Sequence, residues 1–139
     1  MKNNTKFKFI DLFSGIGGFH IAMHNLGGEC VFASEIDTFA RQTYQHNLEK
    51  ISPNLFRNGL FNDDIRNIVA ENIPDFDILC AGFPCQPFSQ AGHKRGFNDN
   101  HKSERGNLFF NIAEIIESKK PSRKCFTFHL CTCCTNSID

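Results

Sequence analysis

The chain has 139 residues, with 15 acidic and 15 basic side chains, and 40% of its residues are hydrophobic. This size and composition suit one globular domain with a single core, and the zero net charge points to no particular partner. No apolar run approaches the roughly 20 residues that a bilayer requires, and the N-terminus lacks the features of a secretory signal. We therefore expect a cytoplasmic protein with no membrane partner.

The predicted elements alternate between β-prone and amphipathic segments. In chain order, the apolar spacing predicts a strand at 7–13, a helix from about 19, a strand at 30–33, helices at about 38–48 and 65–69, a strand at 77–83 and a helix at about 108–120. Residues 84–106, rich in Gly, Pro, Ser and charge, predict a long loop, and 58–64 fit neither pattern. We expect Thr38 to cap its helix and the first helix to bury Phe19, Ala22, Met23 and Leu26.

This alternation predicts an α/β fold, a parallel sheet with helices on both faces. Ligands of such sheets bind at the carboxyl ends of the strands. The residues with the most distinctive chemistry fall at those ends, namely Ser14 to Gly18, Glu35, Asp64, and the pair Pro84 and Cys85. We therefore expect one composite site at this edge.

A glycine-rich turn, DLFSGIGG at 11–18, follows the first strand. Glycines allow close backbone approach, and exposed helix amides favour an anionic group. The spacing matches neither the dinucleotide fingerprint nor the P-loop, so a carboxylate-bearing nucleoside such as S-adenosylmethionine fits better. Glu35, twenty residues after Gly15, is placed to bind both ribose hydroxyls, and Ile36 to pack on adenine. Alternatively, the turn only tightens the strand–helix corner and Glu35 is solvated.

Cys85 follows the fourth predicted strand, between Pro84 and Pro87 in the segment GFPCQPFS. A thiol fixed in direction by flanking prolines is suited to attack an electron-poor carbon. The alternative is a buried structural cysteine, the commoner fate of this residue. We assign that fate to Cys80, which lies inside the apolar strand, and the nucleophilic role to Cys85.

Five segments in order and spacing resemble the DNA (cytosine-5) methyltransferases: FIDLFSGIGGFHIAM, SEID, NDDI, GFPCQPFSQAG and RGNLFFNIAEIIE. The resemblance covers residues 7 to about 121 and implies a Rossmann-like, S-adenosylmethionine-dependent methyltransferase fold. It also implies that double-stranded DNA is the partner, with the target cytosine flipped out of the duplex. Cys85 would then add to C6 of the cytosine, and C5 would receive the methyl group.

The same resemblance implies roles for further residues. Those of the cofactor site would be Phe13, Ser14, Gly15, Gly17, Gly18, Glu35, Ile36, Asp64, Gly82, Pro84 and Leu108. Those near the flipped nucleotide and the DNA backbone would be Gln86, Ser89, Lys94, Arg95 and Arg105, the basic ones in a mobile loop that closes over DNA. No metal is implied.

Beyond Pro121 the resemblance implies a strand ending in Glu-Asn-Val, whose glutamate protonates the cytosine. The chain reads SRKCFTFHLCTCCTNSID instead, with four of the seven cysteines. We therefore divide it into a cofactor and nucleophile portion, 1–121, and an aberrant Cys-rich tail, 122–139. We expect a shifted reading frame, a sheet incomplete on this side that leaves Phe9, Ile78 and Ile112 uncovered, and an inactive fragment. Downstream nucleotide sequence without a frame encoding Glu-Asn-Val would contradict the shifted frame.

Several alternatives stay open. A second chain carrying the missing motifs would make this one subunit of a split methyltransferase. A zinc site at Cys125, His129, Cys131, Cys133 and Cys134 lacks the usual two separated ligand pairs. The segment Phe126–Phe128 is β-prone and predicts a capping strand. A cofactor-binding module without activity, or a thiol hydrolase using His20, His24 or His46, ranks lower.

Overall fold

The computed structural model describes residues 5–83, 106–121 and 123–128. Strands and helices alternate along most of this chain. In order they are β1 (Phe7–Leu12), α1 (Gly18–Asn25), β2 (Gly28–Ser34), α2 (Thr38–Leu48), α3 (Pro53–Arg57), β3 (Phe61–Asn62), β4 (Ile78–Phe83), α4 (Gly106–Lys119) and β5 (Arg123–Phe128). Two single-turn 3₁₀ helices, Ile65–Asn67 and Ala70–Asn72, lie between β3 and β4.

The strands form one parallel sheet in the order β3-β2-β1-β4-β5. The chain progresses outward from β1 to β3 and then crosses back, so the order reverses between β1 and β4. That reversal creates a crevice at the carboxyl ends of the two central strands, where open α/β sheets bind ligands.

Successive residues of β1 face opposite sides of the sheet, as a strand requires. Phe9 packs with Tyr44 and Leu48 of α2, whereas Ile10 packs with Ile112 and neighbouring residues of α4. The sheet therefore has a core on each face, which confirms the predicted parallel sheet with helices on both sides. Phe9 and Ile112 are 0% and 3% exposed and Ile78 is partly buried, so the expectation that all three are uncovered is wrong. Neighbouring helices and strands cover them.

Two local predictions are also wrong. Asp37, not Thr38, caps α2, because its extended backbone lets its Oδ1 accept from the Ala40 amide over 2.7 Å. In α1 the fully buried residue is His20, whereas Ala22 is exposed, and Leu26, just after the helix, is 61% exposed. An eight-residue helix that lies on the sheet buries only the few side chains that face the sheet. In α1 the side chain at the centre of that face is the polar residue His20.

The predicted capping strand is confirmed as β5, which pairs with β4 from Ile78–Arg123 to Phe83–Phe128. The backbone of the Cys-rich segment therefore extends the sheet as far as residue 128. The zinc ligands suggested for the tail lie outside the described side chains. In the described part of the chain, no helix is long and apolar enough to cross a membrane.

Candidate cofactor site

A cavity of about 360 Å³ opens at the carboxyl edge of the sheet, where the strand order reverses. A pocket of this size accepts a small organic ligand. It brings together residues from five separated parts of the sequence. The lining residues are Phe13, Ser34, Glu35, Ile36, Asp63, Asp64, Ile65, Arg66, Gly82 and Leu108. Six of these residues were predicted from sequence to form a cofactor site.

Glu35 joins the turn after β1 to the end of β2. Its Oε2 accepts from the Gly15 amide over 2.7 Å, and its Oε1 accepts from the Asp37 amide over 2.9 Å. A carboxylate has about four lone-pair sites, so each oxygen can still accept another hydrogen bond. Glu35 is therefore fixed in place and retains acceptors for a pair of hydroxyl groups.

The glycines of the turn have different environments. Gly15 has φ +55° and a Cβ there would meet nothing within 4 Å, so this position is open to a ligand, as is that of Gly18. A Cβ on Gly17, which has φ +96°, would lie 2.5 Å from Leu48 Cδ1 and 3.1 Å from Tyr44 Cδ2. Gly17 therefore allows α1 to pack closely on α2, while the other two leave room at the site.

Ser14 and Ser34 connect the ends of β1 and β2. The Ser14 amide donates to the Ser34 carbonyl over 3.0 Å, and both side chains are buried. Neither hydroxyl oxygen has a hydrogen-bond partner among the described residues. Because buried hydroxyl groups are normally paired, these two are suited to a polar ligand, and Ser34 lines the cavity directly.

Phe13 and Gly82 form the crevice between the central strands. Phe13 has a positive φ of 54°, which is uncommon for a residue with a side chain. A Cβ on Gly82 would lie 3.2 Å from the Phe13 carbonyl oxygen, so glycine permits the two chain segments to approach closely. Together they place the Phe13 side chain on the cavity wall.

Asp64 is bound tightly by Arg66, a residue that the sequence analysis missed. The Arg66 amide and Nε donate to Asp64 Oδ1 over 3.0 and 2.9 Å, and Nη2 donates to Oδ2 over 2.6 Å. These bonds lower the pKa of the Asp64 carboxyl group, which stays ionised. In the sequence, the only indication of this pair is that Arg66 follows Asp64 by two residues. The 3₁₀ helix Ile65–Asn67 that contains Arg66 is too short to produce a helical pattern of apolar residues.

Apolar walls complete the cavity. Ile36 is 61% exposed at its mouth, although most aliphatic side chains of this size lie in the core. Leu108, in the first turn of α4, is partly buried and faces the same space. An exposed branched side chain beside a buried one provides surfaces on which a planar ring can pack.

The residues present fit an adenine nucleoside with a charged amino-acid end, such as S-adenosylmethionine. The fit rests on open glycine positions in the turn, hydroxyl groups of Ser14 and Ser34 that lack a partner in the described part of the chain, fixed carboxylates at Glu35 and Asp64, and the exposed Ile36. Of these residues, Ser34, Glu35, Ile36 and Asp64 line the cavity and combine hydrogen-bonding groups with apolar surface, whereas Ser14, Gly15 and Gly18 belong to the adjoining segment after β1.

The remaining predicted site residues lie outside the described part of the chain. They are Pro84, Cys85, Gln86, Ser89, Lys94, Arg95 and Arg105. The strand β4 ends at Phe83, two positions before Cys85 in sequence, and Gly82 of that strand lines the cavity. Cys80 is 0% exposed within β4, which confirms its interpretation as a buried cysteine.

Comparisons with known proteins show the family to which the chain belongs. The family model for C-5 cytosine-specific DNA methylases matches residues 7–126. The type II methyltransferase M.HhaI of Haemophilus parahaemolyticus is 44% identical over 120 residues, covering 86% of this chain and 33% of the relative. M.HpaII of Haemophilus parainfluenzae is 50% identical over 117 residues, covering 84% of this chain and 29% of the relative. The chain thus spans about a third of the length of these relatives.

Solved structures give the same result for the fold. The Dnmt2 methyltransferase of S. pombe superposes with a TM-score of 0.59 at 25% identity, covering 81% of this chain and 32% of that one. The fold therefore belongs to the Rossmann-like class of S-adenosylmethionine-dependent methyltransferases. Within that class, the chain belongs to the C-5 cytosine-specific DNA methylase family.

Proposed function

We propose that this chain carries the cofactor-binding and nucleophile parts of a DNA (cytosine-5) methyltransferase of the restriction–modification type. The observation that carries the proposal is the Glu35 carboxylate, bound to the Gly15 amide beside a cavity at the strand-order reversal. Family membership supports the reaction, and the fixed carboxylate supports the nucleoside cofactor.

The cofactor would lie with its ribose against Glu35 and its adenine between Phe13 and Ile36. Asp64 would accept from the adenine amino group, with Gly82, Pro84 and Leu108 around the ring. The open positions at Gly15 and Gly18 would receive the methionine end beside Ser14. The bound cofactor supplies an electrophilic methyl group.

The reaction would use Cys85 as the nucleophile. As a thiolate it forms a bond to C6 of a flipped cytosine, and the electron pair of the C5–C6 double bond becomes available at C5. Transfer of the methyl group to C5 would leave S-adenosylhomocysteine, and loss of the C5 proton to a base such as water would then restore the double bond and expel the thiolate. Gln86 and Ser89 would hold the nucleotide, and Lys94, Arg95 and Arg105 would contact phosphates of double-stranded DNA in the cytoplasm.

Calorimetry with S-adenosylmethionine tests the cofactor part of this proposal. We expect the 139-residue chain to bind it, and Glu35→Gln to weaken that binding, while Glu49→Gln, an exposed matched control, binds like the parent chain. Failure of the parent chain to bind at millimolar cofactor would refute the proposed site.

A chimera tests the nucleophile. Residues 7–126 would replace the matched segment of the Haemophilus parahaemolyticus relative, so that the remaining two thirds of the enzyme come from that protein. We expect incorporation of labelled methyl groups into DNA that Cys85→Ser abolishes and Cys80→Ser leaves detectable. A cofactor-binding chimera that transfers equally well with Cys85→Ser would refute the assignment.

A second possible arrangement is a split enzyme. In that arrangement another chain supplies the segments that correspond to the unmatched two thirds of the relatives. The 139-residue chain contains no Glu-Asn-Val, so we expect no methyl transfer by it alone. General acid catalysis is worth about 10²–10⁴-fold in rate. Co-expression with neighbouring reading frames, followed by a labelled-methyl assay, distinguishes this arrangement, because only a complementing chain restores transfer.

A further inference from the structure

Arg41 of α2 lies behind Glu35 and outside the cavity. Its Nη1 donates to the Glu35 carbonyl oxygen over 3.1 Å, and its guanidinium carbon lies 4.6 Å from the centre of the Phe61 ring. The residues lining the cavity do not include Arg41. Among the described residues, the contact that links Arg41 to the cavity is therefore its hydrogen bond to Glu35.

Phe61 gives the guanidinium group a fixed support. Its backbone belongs to β3 and pairs with Ala33 of β2, and its ring stacks on buried Tyr44 with centres 4.6 Å apart. Arginine stacks well on an aromatic face because its charged group is planar and weakly hydrated. The guanidinium of Arg41 is thus positioned between a rigid ring and the end of β2.

The strand β3 is too short to hold Glu35 by itself. It has two residues, and beyond them the Asn62 carbonyl accepts from the Glu35 amide over 3.1 Å. The Glu35 carbonyl is bonded by Arg41 instead. With the side-chain bonds to Gly15 and Asp37, both backbone polar groups and both carboxylate oxygens of Glu35 are held.

We infer that Arg41 is a positioning residue for cofactor binding, which fixes the backbone of Glu35 so that its carboxylate meets the ribose hydroxyls. The inference rests on the proposed function. A carboxylate held in the bound geometry loses little conformational entropy when the ligand arrives, so its hydrogen bonds contribute more to affinity. Removal of Arg41 leaves the cavity lining unchanged but lets Glu35 move.

The test compares two ligands, S-adenosylhomocysteine and its analogue lacking both ribose hydroxyls, on the full chain. For Arg41→Leu we expect about tenfold weaker binding of the first and little change for the second, since one charged hydrogen-bond network is loosened. Arg41→Lys retains the positive charge but cannot stack a planar group on Phe61, so it should cause an intermediate loss of affinity for S-adenosylhomocysteine. Gln42→Leu, at an exposed position next to it on α2, is the matched control.

Equal losses for the two ligands, or unchanged binding of both, would overturn the inference. A second readout needs no ligand: hydrogen exchange of the Gly15 amide, whose acceptor is Glu35 Oε2. Arg41→Leu should speed this exchange, whereas the Ser14 amide, bonded to the Ser34 carbonyl, should keep its rate. If the parent chain binds neither ligand, the proposed function fails, and an unchanged Gly15 rate would separately refute the role of Arg41.

Discussion

His20 Nδ1 and Tyr44 Oη lie 2.6 Å apart in the interior between α1 and α2, and both side chains are fully buried. The other ring nitrogen, Nε2, lies 2.8 Å from Ser52 Oγ just before α3. The imidazole therefore links three helical segments on one face of the sheet. It also makes an edge contact with Phe9, with ring centres 5.5 Å apart.

The His20 network predicts acid sensitivity. Burial lowers the pKa of His20 from 6.5 to about 4, with the nearby His24 adding to the effect. Between pH 6.5 and about 4, His20 is therefore protonated in the unfolded chain but neutral in the folded one. The contribution of His20 to the free energy of unfolding is complete above about pH 6.5 and is lost as the pH falls toward 4. Urea unfolding should show this loss, and it should be smaller in His20→Gln than in the exposed control His46→Gln. Equal pH dependence in the two variants would contradict the prediction.

Gly17 is predicted to be essential for stability. In Gly17→Ala the new methyl group would lie 2.5 Å from Leu48 Cδ1, on a backbone with φ +96°. We expect a loss of about 2–4 kcal/mol in the free energy of unfolding from overpacking and strain. Gly18→Ala, one position later with nothing within 4 Å, should unfold within about 1 kcal/mol of the parent chain. Similar denaturation midpoints for both variants would refute this contrast.

Glu35 is predicted to determine cofactor affinity rather than stability. Its carboxylate accepts from Gly15 through a part-buried hydrogen bond and from Asp37 through an exposed one, at the carboxyl end of β2. Glu35→Gln should weaken S-adenosylmethionine binding by at least about tenfold, because the charge is lost and one of the two acceptor oxygens is replaced by an amide donor. The melting temperature should change little, and Glu49→Gln should change neither quantity. A large stability loss with unchanged affinity would indicate a purely structural role.

Arg66 is predicted to keep Asp64 ionised. Its side-chain hydrogen bonds lower the pKa of the Asp64 carboxyl group, so any binding that depends on the carboxylate is lost only when the pH falls through that lowered value. In Arg66→Gln the pKa should rise, and cofactor binding should weaken at a higher pH than in the parent chain. A carbon-detected NMR titration of Asp64 measures the shift directly. An unchanged titration would show that Arg66 has no electrostatic influence there.

The sequence predicted the elements whose periodicity is strong. The alternation of apolar runs and amphipathic segments determined the parallel sheet, and residues after strand ends, such as Glu35 and Asp64, lie together in one cavity. Each of these predictions depends on the local hydrophobic pattern and on the rule that parallel α/β sheets bind ligands at the carboxyl ends of their strands.

The parts that escaped prediction depend on tertiary contacts. His20 carries no local signal, because its partners Tyr44 and Ser52 are 24 and 32 residues away. The two-residue strand β3 is too short for a period of two to be visible. The capping role of Asp37 and the stacking of Arg41 on Phe61 likewise follow from three-dimensional proximity.

The cavity is lined from residue 13 to residue 108, with contributions from the carboxyl ends of four strands, β1 to β4, and the start of α4. These lining residues are far apart in sequence, so the pocket exists only when β1 to β4 and α4 have folded together. A ligand bound there must consequently shift the folding equilibrium of the entire domain, by an amount that grows with the logarithm of its concentration above Kd. Cofactor supply would then influence how long the polypeptide survives proteolysis, quite apart from any chemistry it performs.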